Sequence, residues 1–213
     1  MRQKTPLTAG AENVTGTSGN DTINALAVKA DGAAATTFSA FDNVDGGAGT
    51  DTFNIYTTGT ENTAFPTAAT LKNVEIVNIY NTAAAAAFGD ASKFEGATQL
   101  WQHAAAVDVT KLAATTTAGF KSVEATITAD LDVSAADAAT TVTIALDGVK
   151  GDAQTTATTI ENRADIDVDG AAVAGVTVSG TLAQKTTASL GAAEVFTATF
   201  AGGAANSETV IFD

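Results

Sequence analysis

The chain has 213 residues, a mass of 21.2 kDa, no cysteine and a formal net charge of −14. Without cysteine there are no disulfides and no thiolate metal sites, and so acidic a balance lacks the basic footprint that nucleic-acid binding needs. It argues equally against an anionic membrane surface, and no stretch approaches the ~20 apolar residues of a transmembrane helix. The apolar fraction of 45% is largely alanine, with one Met, one Trp and two Tyr. That is thin material for a globular core but enough for a solenoid, in which each coil needs only a narrow apolar column and its neighbours supply the burial. Abundant threonine and valine favour strand over helix.

Residues 1–10 read as a lead-in segment, basic at first but without the apolar region of a secretory signal peptide. Residues 11–57 carry the strongest pattern. Gly46–Asn54 fill the nonapeptide G-G-x-G-x-D-x-U-x, which builds a parallel β-helix holding Ca²⁺. Glu12–Asn24 lies over Asp42–Asn54 without a gap, and seven of the thirteen positions are identical. Thr17 stands where the second turn has Gly47. The pair reads as two stacked turns, 16–21 and 46–51. Their glycines permit positive φ and let carbonyls point into the turn. Calcium takes about 6–8 oxygen ligands at roughly 2.3–2.6 Å, more than one turn offers, so two must face each other. The candidate metal residues are Gly16, Ser18, Gly19 and Asp21 in the first turn, and Asp45, Gly46, Ala48, Gly49 and Asp51 in the second. Asp21 and Asp51 supply the carboxylates, while Ile23 and Phe53 on the outgoing strands enter the core. Same-side turns of an uninterrupted array recur after roughly 18 residues; the spacing of 30 here implies a loop bulging between Asn24 and Phe41.

Residues 58–213 read as a continuing β-solenoid or all-β region. Thr58–Thr70, with Pro66, is a loop or insertion. Leu71–Tyr80 is a strand with Ile76 inward, and Phe120–Ile127 repeats its apolar-Lys-polar-Val-Glu phrase as the edge of a later coil whose glycine turn is lost. Ala83–Ala87 has helical propensity, and 90–100 is a coil edge with a tight corner at which Asp90 can cap a short helical turn. Short alternating runs follow at 141–146, 164–169, 175–179, 194–200 and 208–212. Their spacing fits a stacked array; a β-sandwich-like C-terminal part is the alternative.

Asp165-Ile-Asp-Val-Asp-Gly170 imitates an EF-hand opening, but the twelfth position is Val176 where Glu is required. It reads better as a strand with Ile166 and Val168 inward and three carboxylates outward, a set that a surface cation shared with a neighbouring subunit would relieve. His103 is the only histidine, so no His cluster for Zn²⁺ exists, and no G-x-S-x-G elbow is present. Asp130, Asp132 and Glu194 are ordinary acids unless paired in space. No catalytic constellation emerges.

The paired turns, followed by Leu-Lys-Asn-Val-Glu-Ile-Val-Asn-Ile and Asp-Ala-Ser-Lys-Phe-Glu-Gly-Ala-Thr-Gln-Leu, resemble the calcium-binding RTX-type repeats of Gram-negative surface proteins and are similar to the S-layer lattice proteins of the Caulobacter type. The resemblance covers residues 7–127 by motif. It implies a right-handed parallel β-solenoid, β-roll-like, with Ca²⁺ in turns 16–21 and 46–51. It also implies type I export through a C-terminal signal, for which Asn206–Asp213 is the candidate, and calcium-dependent self-assembly into a cell-surface layer or filament. A calcium-binding adhesin segment that recognises glycan or another cell, through loops 25–40 and 58–70, is the alternative, with a cell-surface polysaccharide as its partner. A third reading, the calcium-binding tail of a secreted hydrolase, needs a catalytic domain that is not visible here.

Overall fold

A computed structural model describes residues 4–81, 88–125, 130–150, 152–156, 159–182, 194–201 and 207–210. The chain divides into two compact units, Met1–Val107 and Asp108–Asp213. In the first unit the strands are β1 (Lys4–Pro6), β2 (Asn13–Thr15), β3 (Thr22–Ala25), β4 (Asn43–Asp45), β5 (Thr52–Thr57), β6 (Thr70–Lys72), β7 (Ile76–Asn81) and β8 (Gln99–His103). They form two ladders, β1-β3-β5-β7-β8 and β2-β4-β6, and the pairings are parallel. Three successive coils, β2–β3, β4–β5 and β6–β7, thus give one strand to each ladder, which makes the unit a parallel β-solenoid. β5 and β6, on either side of residue 58, both belong to it. The lead-in is already a coil: β1 pairs with β3, and the Leu7 N–H donates to the Asn24 carbonyl at 2.8 Å.

Period-2 alternation decides which residues face inward. Ile23, Phe53, Val77 and Leu100 are in register across β3, β5, β7 and β8, and all are buried. Behind them run Ala25, Ile55, Ile79 and Gln102. Gln102 is fully buried yet satisfied, since its Nε2 donates to the Val107 carbonyl and its Oε1 accepts the Val107 N–H. The expectation of a continuous strand over 71–80 with Ile76 inward is corrected. Asn73 sits at φ 50 and breaks the segment into β6 and β7. Asn tolerates this left-handed region better than most residues. Leu71, Val77 and Ile79 keep one phase of the alternation and are buried, Val74 is buried at the corner between the strands, and Ile76 lies on the outer face opposite Thr52.

The loop after β3 does bulge, but it is anchored at both ends. Phe38 is buried with its ring centroid 5.1 Å from that of Phe53 and 5.2 Å from that of Phe65. Asn62, fully buried, donates to the carbonyls of Ala25, Leu26 and Tyr56 and accepts the N–H groups of Thr37 and Phe38. The corner near 90 holds a single 3-10 turn, Ala91–Lys93, capped by Asp90 accepting from the Ser92 N–H. The helical expectation for Ala83–Ala87 lies outside the described residues.

The second unit contains β9 (Val109–Leu112), β10 (Thr117–Lys121), β11 (Leu131–Ala135), β12 (Thr141–Val149), β13 (Asp152–Thr156), β14 (Thr159–Asp169), β15 (Gly175–Leu182), β16 (Glu194–Ala201) and β17 (Ser207–Val210). One ladder runs β10-β12-β15-β17; the other runs β13-β14-β11-β9, with β16 also on β14. Apart from the antiparallel β13–β14 hairpin, the described pairings are parallel. A sandwich is built from antiparallel sheets, so that alternative is overturned and the solenoid reading holds here too. Ile166 and Val168 are buried as expected, while Asp167 is half-buried and Asp169 exposed; the side chain of Asp165 is outside the described residues. The phrase shared by Leu71–Glu75 and Phe120–Glu124 marks the same local corner, with Asn73 at φ 50 and Ser122 at φ 53.

The phase correction is testable by urea unfolding. Ile79→Ala should cost about 2–5 kcal/mol, as expected for a core truncation, and Ile76→Ala about 1 kcal/mol or less.

Candidate metal centre

The turn residues singled out from the sequence do stack. β2 and β4 pair Thr15 with Asp45, and β3 and β5 pair Thr22 with Thr52, so turns 16–21 and 46–51 lie one above the other. The third coil continues the column through β6 and β7, with a corner at residues 73–75. The approach at these corners is close. A Cβ on Gly16 would overlap the Gly46 carbonyl, and a Cβ on Gly46 would overlap the Asn73 carbonyl. Gly47 and Gly49 hold φ +93 and +131, which L side chains rarely adopt. Ser18 and Ala48 occupy the exposed tips, where the Ala48 N–H donates to the Thr17 carbonyl at 3.1 Å.

Three acids line the inner side of the column. Asp51 Oδ1 accepts the Asp21 N–H at 2.7 Å, and Glu75 Oε2 accepts the Asp51 N–H at 2.7 Å. Asp21 is 2% and Asp51 0% exposed. Within the first turn, Asp21 Oδ2 accepts both the N–H and the hydroxyl of Thr17, at 2.5 and 2.8 Å. The second turn differs. Gly47 has no hydroxyl, and its N–H turns instead to Asp45 Oδ1 at 3.0 Å, where the Asn73 side-chain amide also donates at 2.8 Å. Asp51 Oδ2 is left buried with no hydrogen-bond partner. Buried polar atoms are rarely left so, and an unsatisfied charged one is costly. Burial raises the pKa of Asp51 above the ordinary carboxylate value. The Asp21 N–H works against that rise, while the charges of Glu75, Asp21 and Asp45 add to it. Asp45 is held low, first by the Asn73 amide and then by the Gly47 N–H.

These residues fit a hard divalent cation. The donor set is carboxylate and carbonyl oxygen, as calcium prefers; the glycine cradle admits no Cβ; and one buried carboxylate oxygen lacks any partner. Sequence reasoning missed Glu75, because its corner carries no glycine motif. It also missed Asp42, which is fully buried and accepts the N–H groups of Glu12 and Ser39 at 2.9 and 2.6 Å. Its pKa is raised by burial, against which those hydrogen bonds act.

In the second unit Asp130, Asp132 and Asp167 bring carboxylate oxygens within 4.8 Å of one another. β11 and β14 place Asp132 opposite Asp167, so acids that are distant in sequence are indeed paired in space. Burial raises the pKa of Asp132, and Asp108, Asp130, Asp167 and Asp169 raise it further. A carboxyl whose folded pKa is raised adds stability below its ordinary value of ~3.9, and that contribution is lost as pH rises through the folded value. Asp132→Asn should therefore unfold at a higher temperature than the unsubstituted chain at pH 7, with the gap closing toward pH 4 in calorimetric scans. No protein-family model matches this chain, and no curated protein matches it either.

Proposed function

We propose that this chain is an extracellular structural protein, a calcium-bound β-solenoid that self-associates into a surface layer or filament. The observation that carries the reading is Asp51 Oδ2, a buried carboxylate oxygen without a partner inside the turn that fills the nonapeptide template. A bound divalent ion supplies the positive charge that this oxygen lacks. The chain's own residues do the rest. The glycines keep the backbone of adjacent coils in contact, the Asp21 and Asp51 amides fix the carboxylates below them, and Phe53 and Ile55 tie the turn to the core. An ion held by the folded turns and not by the unfolded chain stabilises the fold by mass action, about 2.7 kcal/mol at a concentration 100 times the dissociation constant. Extracellular calcium modules work at about 10⁻⁴–10⁻³ M, which suits a device that assembles outside the cell. β1 carries Lys4 and Pro6, residues that blunt a sheet edge, so the reading favours association through lateral faces over strand pairing at that edge.

Two measurements test this. Electron microscopy of the purified chain should show layers or filaments in millimolar Ca²⁺ that dissolve in EGTA; assemblies indifferent to chelation would contradict the role. In EGTA, Asp51→Asn should raise the unfolding temperature by removing a buried unpaired charge, whereas in Ca²⁺ it should lower it.

A further inference from the structure

The two glycine turns match in sequence but not in how their acids are satisfied. In the first, Thr17 closes the turn on itself by donating its amide and its hydroxyl to Asp21 Oδ2. In the second, Asp45 replaces Thr15 in the register, draws the Gly47 amide to its own Oδ1, and so leaves Asp51 Oδ2 unpartnered at 0% exposure. The open place therefore lies in the second turn.

That place is bounded by the third coil. Glu75 reaches the Asp51 amide from a corner of three residues, 73–75, where the turns before it use six. Its longer side chain makes up for the shorter corner. Asn73 presents its carbonyl to Gly46 and its side-chain amide to Asp45. Lys72 counters Asp45, but the charges acting on Asp51 are Glu75, Asp21 and Asp45, all negative.

We propose that the cation seat lies between the second turn and the third coil, with Asp51 from the turn and Glu75 from the third coil as its two carboxylates, and that Thr17 closes the first turn to an ion. This rests on the calcium reading above and changes its geometry. The ion joins the glycine turn to a coil without the motif, where two matching turns were expected to share it. Glu75 is thereby assigned as a ligand, and Thr17 as an internal substitute for metal.

Calorimetric titration of Ca²⁺ into the metal-stripped full chain tests it, with circular dichroism confirming that each variant folds. The seat is defined as the binding step lost in Asp51→Asn. Glu75→Gln keeps an acceptor for the Asp51 amide and should weaken that step about tenfold or more, because ligand charge sets affinity. Asp21→Asn, which removes a neighbouring charge but no ligand, should weaken it much less than Glu75→Gln does, and Thr17→Gly should add a second ion. Loss of the step in Asp21→Asn with no effect of Glu75→Gln would place the ion between the two glycine turns and overturn the inference, while the calcium reading stands. Absence of any Asp51-dependent step would overturn both.

Discussion

The first unit depends on the contact between a carbonyl oxygen and the bare Cα of a glycine one coil away. Gly46 seats its carbonyl over Gly16, and Asn73 seats its own over Gly46. Any side chain there would push the coils apart. From that contact follows the register that pairs Asn13 with Asn43 and Thr22 with Thr52. The same register aligns the buried apolar column and sets Asp21, Asp51 and Glu75 in a file. A slip of one residue would turn each of these strands inside out. The dense backbone contact and the trapped carboxylate are therefore two results of one packing choice.

Where the chain repeats itself it can be read directly. The thirteen-residue phrase at 12–24 and 42–54 announces both the parallel pairing and the residues that meet, because identical residues 30 apart become partners, as Asn24 and Asn54 do. Legibility falls at the third coil. There the corner is shorter, Asn73 does the work of glycine, and Glu75 takes the place of aspartate, so no template match survives. Ile76 is misread for another reason: the run 76–79 offers apolar residues in both phases of the alternation, and the buried phase is that of Leu71, Val77 and Ile79. The second unit carries no repeat of the glycine turn, only the Phe120–Glu124 corner phrase, and the meeting of Asp132 with Asp167 rests on a register that no local pattern discloses.

Buried polar residues let an irregular chain form regular coils. Asn62 satisfies five backbone groups, at the end of β3, on β5 and in the loop after β3, and Asp42 accepts two amides, that of Glu12 just before β2 and that of Ser39 in the loop before β4. Each replaces strand pairing where the chain leaves the ladder, so loops of different length return to the same point. Sequence statistics treat Asn and Asp as turn formers and give no sign that these two are internal staples.

On the outer face of the first unit, Asn78 donates its side-chain amide to Asn54, and Asn54 donates to Asn24, each at 2.9 Å; His103 Nε2 lies 3.1 Å from Asn78 Oδ1. Every amide in the row points the same way. With Asn78 already spending its NH₂ group on Asn54, its oxygen can only accept, so the proton of a neutral His103 must reside on Nε2. The direction of dipoles laid down two coils away thus selects the tautomer of the lone imidazole, and reversing it would require every amide in the row to rotate together.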